Sequence, residues 1–245
     1  MLIKWEDADQ IVGVATFDSW LGKAFCLAFP EYAFLKKEML LYSKDNLSKD
    51  GEFGVMISDT DLQFQDIAAQ LGFIATTQKE NDAIFYLDNT STAYDLPHGF
   101  HITTMKETYD LFQYSRVLWK GFNHELDGEG DFQFSEEKEQ LGNEQMLRPN
   151  VDLNLKVAVV SPDGNFAAYC GMWYDPEAGY AVIEPVATDP DYRKMGLGKA
   201  AVLEGIRRVE KLGAKTALVG SSQQFYYSIG LRPFTTTTMW KKTNK

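Results

Sequence analysis

The chain has 245 residues, 44% of them hydrophobic, and its 24 basic and 35 acidic side chains give a formal net charge of −11 at pH 7. This charge disfavours nucleic acid as a partner, because binding to phosphates needs clustered Lys and Arg. No apolar run approaches the roughly 18–20 residues that span a membrane, so we expect a globular protein with no membrane partner.

The cysteines and histidines indicate neither disulfides nor a metal site. Cys26 and Cys170 are isolated, and the first residues lack a signal-peptide layout, which predicts a cytoplasmic protein with reduced thiols. His98, His101 and His124 show no spacing typical of metal ligands, so we expect no bound metal.

The amino-terminal part repeats the plan of the carboxy-terminal part. Residues 11–17 predict a strand similar to the one at 167–173, and Pro-Glu-Tyr at 30–32 matches Pro-Asp-Tyr at 190–192. The two parts therefore read as two copies of one unit.

Aligned with the second copy, the first copy lacks two glycines and a tyrosine that the second copy has. Lys36 and Glu38 stand where the second copy has two glycines, and Ala68 stands at the position of Tyr226. Side chains at the glycine positions would fill a ligand cradle, and the carboxylate would repel phosphate. We expect the first copy to bind no phosphorylated ligand.

The second copy reads as strands, turns and one long helix. Polar turns with Pro or Gly separate its apolar stretches, and apolar residues at helical spacing continue until Gly213, a helix stop. The predicted strands are residues 157–160, 166–174, 180–187 and 216–219, and the helix begins near Lys199.

Residues 193–200, Arg-Lys-Met-Gly-Leu-Gly-Lys-Ala, lie between the third of these strands and the helix. The glycines let a ligand approach the backbone, and a helix N-terminus leaves N–H groups unpaired. Together they predict a phosphate site. An NTPase P-loop does not fit, because Ala200 replaces its Ser or Thr. A dinucleotide turn fits less well, because residues 188–192 separate the strand from the glycines.

Two patterns in this order resemble a known family. Residues 193–198, R-x-x-G-x-G, resemble the acyl-CoA-binding motif of the GNAT N-acetyltransferase superfamily, and 225–230, F-Y-x-x-x-G, resemble its second signature. The resemblance implies an α/β fold with a mixed sheet, the GNAT fold, in two tandem copies. Residues 1–95 would be an incomplete, degenerate copy, and residues 96–245 the copy that binds CoA.

The implied cofactor is acetyl-CoA, with its pyrophosphate at the glycine loop and its pantetheine arm against the third strand. Pro185 marks a bulge or released edge in that strand, because proline cannot donate to a ladder. In the GNAT fold this strand parts from its neighbour. The residues implied in cofactor binding are Val186, Ala187, Arg193, Lys194, Met195, Gly196, Leu197, Gly198 and Lys199.

Two residues are candidates for proton transfer. The resemblance implies that Tyr226 gives a proton to the leaving thiolate, and the alternative is a core tyrosine that packs beside Phe225. Glu184 is the candidate base, because burying an unpaired carboxylate in an otherwise apolar strand is costly and indicates a role for it. The alternative is that Glu184 anchors a neighbouring loop.

The resemblance implies an acetyl-CoA-dependent N-acyltransferase that acts on a primary amine of a small molecule or peptide by direct attack in a ternary complex. A non-catalytic CoA-binding or sensing module is the alternative. The acidic segment 125–131 is interpreted as a solvated loop, with recruitment of a cationic acceptor as the alternative. The acceptor's identity, the acyl length and the oligomeric state, a homo-oligomer included, stay open.

Overall fold

The computed structural model describes residues 2–17, 21–88 and 91–242. The chain divides into two compact units, residues 1–82 with 234–245 (unit 1) and residues 83–233 (unit 2). Unit 2 begins at residue 83, before the predicted boundary between the two copies at residue 95. That copy boundary stays a prediction. No helix within the described ranges combines the length and the apolar character that crossing a membrane requires.

Unit 1 is a sheet with two helices. Its elements are β1 (Ile3–Asp7), β2 (Gln10–Phe17), β3 (Lys23–Ala28), α1 (Lys36–Asn46), β4 (Gly54–Ser58), α2 (Leu62–Gln70), the first part of β5 (Phe73–Tyr86) and most of β11 (Arg232–Lys242). The strand order is β1-β2-β3-β4-β11-β5. Strands β3 and β4 are parallel, whereas β1–β2, β2–β3 and β4–β11 are antiparallel.

The degenerate loop of the first copy lies between β3 and α1, where a 3-10 turn spans Pro30–Leu35. The ammonium group of Lys36, the first residue of α1, pairs with the Asp61 carboxylate. The Trp5 Nε1 group donates to Glu38 Oε1 at 2.8 Å. The two residues at the glycine positions thus have side chains that already make contacts within unit 1.

Unit 2 contains the end of β5, β6 (His101–Thr104), α3 (Leu111–Gly121), α4 (Glu136–Met146), β7 (Lys156–Val160), β8 (Phe166–Asp175), β9 (Tyr180–Thr188), α5 (Leu197–Lys211), β10 (Thr216–Val219) and α6 (Gln224–Ser228). The strand order is β5-β10-β9-β8-β7-β6. Only β9–β10 is parallel among these pairs. The four predicted strands are confirmed, and the helix begins two residues before the predicted start, at Leu197.

Helices cover both faces of this sheet. On one face α5 packs Val202 and Ile206 against Ile183 of β9 in a single apolar cluster. On the other face α3 packs Val117 against Tyr169 of β8 in a separate cluster. Side chains of β8 and β9 alternate between these two layers.

Strand β9 changes its alternation at Pro185. The register with β8 shifts so that Gly171 lies opposite both Glu184 and Pro185. The Glu184–Pro185 peptide bond is cis. Because of the register shift, both Ile183 and Val186 pack with the α5 layer. This register shift confirms the bulge predicted at Pro185. The parallel ladder with β10 ends before it, at Val182.

Candidate active site

A cavity of about 670 Å³, termed the loop cavity, lies in unit 2 at the start of α5. It brings together most of the predicted site residues, namely Val186, Arg193, Lys194, Gly196, Leu197, Gly198, Lys199 and Tyr226. The remaining wall comes from the end of α3, Thr188, Tyr192 and the segment around α6.

The glycine loop has both space and donors for a phosphate group. Gly196 adopts a left-handed φ of 82° as the N-cap of α5. Apart from its chain neighbours, no described residue has a heavy atom within 4 Å of the position that a Cβ would take. The Ala200 amide is the first to bond back to Gly196, at 3.0 Å. The amides of residues 197–199 precede that bond, as at any helix N-terminus. The loop therefore fits a pyrophosphate.

Gly198 serves the packing of α5 on β9. A Cβ at this position would lie 2.7 Å from Thr188 Oγ1 and 3.5 Å from the Phe225 ring. Contacts of 2.7 Å to a Cβ essentially do not occur, so a side chain here would force the Thr188 side chain or the helix to shift.

The Gly198→Ala variant is expected to lower the free energy of unfolding by about 1–3 kcal/mol, as overpacking does. Thr188→Ala in the same chain should restore much of this loss, because it removes the clashing hydroxyl. Urea denaturation of the two single variants and the double variant measures the coupling. Equal stability of wild type and Gly198→Ala would contradict the prediction, because it would show that a Cβ at residue 198 fits beside Thr188 without cost.

Arg193 ties the glycine loop to the end of α3. Its Nη2 donates to the carbonyl oxygen of Gly121 at 3.0 Å and to Asn123 Oδ1 at 2.6 Å. Its Nε donates to the carbonyl oxygen of Thr188 at 3.3 Å. Gly121, Phe122 and Asn123 also line the loop cavity, and the sequence analysis did not identify them.

Tyr226 lines the loop cavity but is only 7% exposed. Burial raises the pKa of its hydroxyl to about 12, with a smaller contribution from Cys170, so the group is protonated throughout the neutral range. Its ring packs edge-on against Phe225 with centroids 5.0 Å apart. The position suits both the predicted proton donor and the alternative of a core tyrosine.

Glu184 does not share this cavity. It is exposed, because the strand turns this side chain away from the α5 layer, so the cost of burying a charge does not apply to it. It lines a second cavity of about 440 Å³, termed the bulge cavity, together with Pro185. Within the described ranges no group hydrogen-bonds to its carboxylate, which gives no support to the loop-anchor alternative. Pro185 of the bulge cavity and Val186 of the loop cavity are consecutive residues of β9, so this strand contributes a wall residue to each cavity.

Two further predicted residues lie outside the loop cavity. Ala187 is buried in the α3 layer, and Met195 is 41% exposed beside the loop. Neither residue lines the cavity, so their predicted cofactor contacts stay predictions.

Comparisons with known proteins identify the fold. Residues 119–230 match the model of the acetyltransferase (GNAT) family. A sequence search of curated proteins gives no match. A GCN5-related N-acetyltransferase from Sphaerobacter thermophilus is similar in structure, with a TM-score of 0.67 and 13% identity, over 96% of this chain and 77% of that one.

A tandem GNAT protein from the clavulanic acid biosynthesis pathway is also similar, with a TM-score of 0.67 and 12% identity, over 100% of this chain and 84% of that one. A GNAT-family acetyltransferase from Colwellia psychrerythraea has a TM-score of 0.61 and 14% identity, over 99% and 85%. At these identities the likeness concerns the fold, and it confirms the predicted GNAT fold with its mixed sheet.

Proposed function

Because residues 119–230 form a domain of the GNAT family, whose general activity is acyl-CoA-dependent acetyl transfer, we propose that this protein transfers an acetyl group from acetyl-CoA to a primary amine. The observation that carries the proposal is the open glycine loop with a buried, protonated tyrosine in the same cavity. The acceptor is a small molecule or a peptide.

The residues of the loop cavity would hold the cofactor. Main-chain amides of residues 197–199 would bind the pyrophosphate, with charge from Arg193 and Lys194. Among the described residues the main chain near Val186 has no ladder partner on the β10 side, so it would pair with the amides of the pantetheine arm. Bound acetyl-CoA supplies an acetyl group activated as a thioester.

Proton transfers would fall to one residue from each of the two cavities. An alkyl ammonium has a pKa of about 10.4, so it must lose a proton before it reacts. Glu184, in the bulge cavity, would accept that proton directly or through water. Tyr226, in the loop cavity, would donate its proton to the leaving sulfur, which leaves as the free thiol, and would then recover a proton from water.

A non-catalytic CoA-binding module is the second candidate. Isothermal titration with acetyl-CoA, followed by an assay of free thiol release across a panel of amines, separates the two candidates. We expect binding at one site per chain, with amine-dependent thiol release. Binding without thiol release for any amine would support the sensing module instead.

The Glu184→Gln variant is expected to lower kcat/KM for the amine by roughly 10²–10⁴-fold at neutral pH, because it removes a general base. The loss should shrink as pH rises and more of the amine is unprotonated. Glu177→Gln, in the exposed turn between β8 and β9, is the matched control and should be silent. Equal loss in both variants, or in neither, would contradict the assignment.

A further inference from the structure

Lys156, at the start of β7, is a buried lysine in unit 2. It is only 3% exposed, and its Nζ donates to the carbonyl oxygen of Met172 at 2.8 Å. The same atom lies 3.7 Å from the centroid of the Trp173 ring. No ion pair within the described ranges includes Lys156. Its ammonium group is therefore a buried cation without a counter-ion.

Such an arrangement is costly, because buried charges in proteins are ordinarily paired. Desolvation lowers the pKa of Lys156 to about 8, although Cys170, Asp152 and Glu184 oppose the shift. An anion brought to this ammonium group would offset the cost.

Lys156 lines the bulge cavity together with Glu184. The wall has a second polar group without a partner, since the Tyr169 hydroxyl is buried and has no hydrogen bond to any described residue. An ammonium group and a hydroxyl can both donate to an anion. Arg148 adds a further positive charge at the exposed edge of this cavity.

The backbones of the two charged residues are separated by two strand spacings. Lys156 pairs with Gly171 on β8, and Gly171 lies opposite Glu184 on β9. Neighbouring strands are about 4.8 Å apart, so the backbones of Lys156 and Glu184 are roughly 10 Å apart. The Lys156 side chain extends towards β8, where its Nζ meets the Met172 carbonyl oxygen and the Trp173 ring. A molecule in the cavity would meet both this ammonium group and the Glu184 carboxylate.

We propose that the bulge cavity binds the acceptor, with Lys156 holding an anionic group, so that the acceptors are amines that also carry a carboxylate or a phosphate. The amine would lie at Glu184, two positions before Val186, which lines the loop cavity. The inference rests on the proposed acetyl transfer and specifies its substrate class.

The test compares matched amines that differ in the anionic group. The carboxylate arm uses 4-aminobutyrate and butylamine, and the phosphate arm uses O-phosphoethanolamine and ethanolamine. In the wild type we expect kcat/KM for at least one anionic amine to exceed that of its neutral match by roughly 10–100-fold, the range for charged hydrogen bonds. The arm that shows the larger ratio identifies the anion.

In the Lys156→Met variant this ratio should fall to about one. Lys215→Met, which removes an exposed lysine of unit 2 outside the cavity, should keep the wild-type ratio. Removal of an unpaired buried charge should leave the melting temperature unchanged or raised. Lys156→Gln provides a second neutral variant should the methionine variant be unstable.

A binding measurement separates this inference from the proposed activity. Calorimetry compares 4-acetamidobutyrate with N-butylacetamide on the CoA-bound wild type and Lys156→Met. Selective binding of the acid that is lost in Lys156→Met, without turnover of any amine, would keep the inference and overturn the acetyl transfer. Turnover with no preference for either anion, or a preference unchanged in Lys156→Met, would overturn the inference alone.

Discussion

Replacing Gly196 with Glu should reduce the affinity for acetyl-CoA by more than about 100-fold while the protein still folds. Among the described residues, no neighbouring heavy atom lies within 4 Å of the Cβ position at Gly196. Because Gly196 lines the loop cavity, the new side chain would enter that cavity. Its carboxylate would then lie at the amides that would hold the pyrophosphate, where like charges repel. Isothermal titration measures the affinity, and circular dichroism checks the fold.

Gly179→Glu is the matched control for this variant. Gly179 also has a left-handed φ, of 71°, and its Cβ position is likewise open. Gly179 lies in the turn between β8 and β9. The Gly179→Glu variant therefore adds the same charge and the same backbone strain away from the loop cavity. Comparable loss of affinity in both variants would assign the effect to strain or net charge. Normal affinity in Gly196→Glu would refute the phosphate site.

The Tyr226→Phe variant should lower turnover by roughly 10²–10⁴-fold, the range for loss of a general acid, with nearly unchanged affinity for acetyl-CoA. The ring keeps its packing against Phe225, so only the hydroxyl is lost. Steady-state kinetics and calorimetry give the two values separately. Tyr227→Phe, which changes the half-buried neighbour, should have little effect. Unchanged turnover in Tyr226→Phe would assign that residue to the core.

The raised pKa of Tyr226 also sets the pH range in which the hydroxyl can act. Burial favours the protonated form, so its contribution to stability is complete below about pH 10 and is lost as pH rises towards 12. The hydroxyl consequently remains a donor across any ordinary assay range.

The features that sequence patterns predicted correctly are local. Strand β10 coincides with the predicted residues 216–219, and the glycine loop precedes its helix as expected. The apolar spacing and the turn residues that specify an element lie within that element or a few positions from it. They therefore predict the element without knowledge of the fold.

The features that the sequence did not reveal depend on distant residues. The hydrogen bonds of Arg193 to Gly121 and Asn123 join segments about 70 positions apart. The exposure of Glu184 depends on the bulge opposite Gly171, and the burial of Lys156 depends on Trp173 of the neighbouring strand. No local pattern distinguishes Lys156 from a solvated lysine at the start of a strand.

The three hydrogen bonds of Arg193 have a thermodynamic consequence. A guanidinium group has five N–H donors, and the described contacts use one on Nε and two on Nη2, which leaves both donors of Nη1. A ligand phosphate would meet an arginine whose rotamer is already fixed. Immobilising such a side chain costs about 0.5–1.5 kcal/mol on binding, and here that entropy is lost when the protein folds.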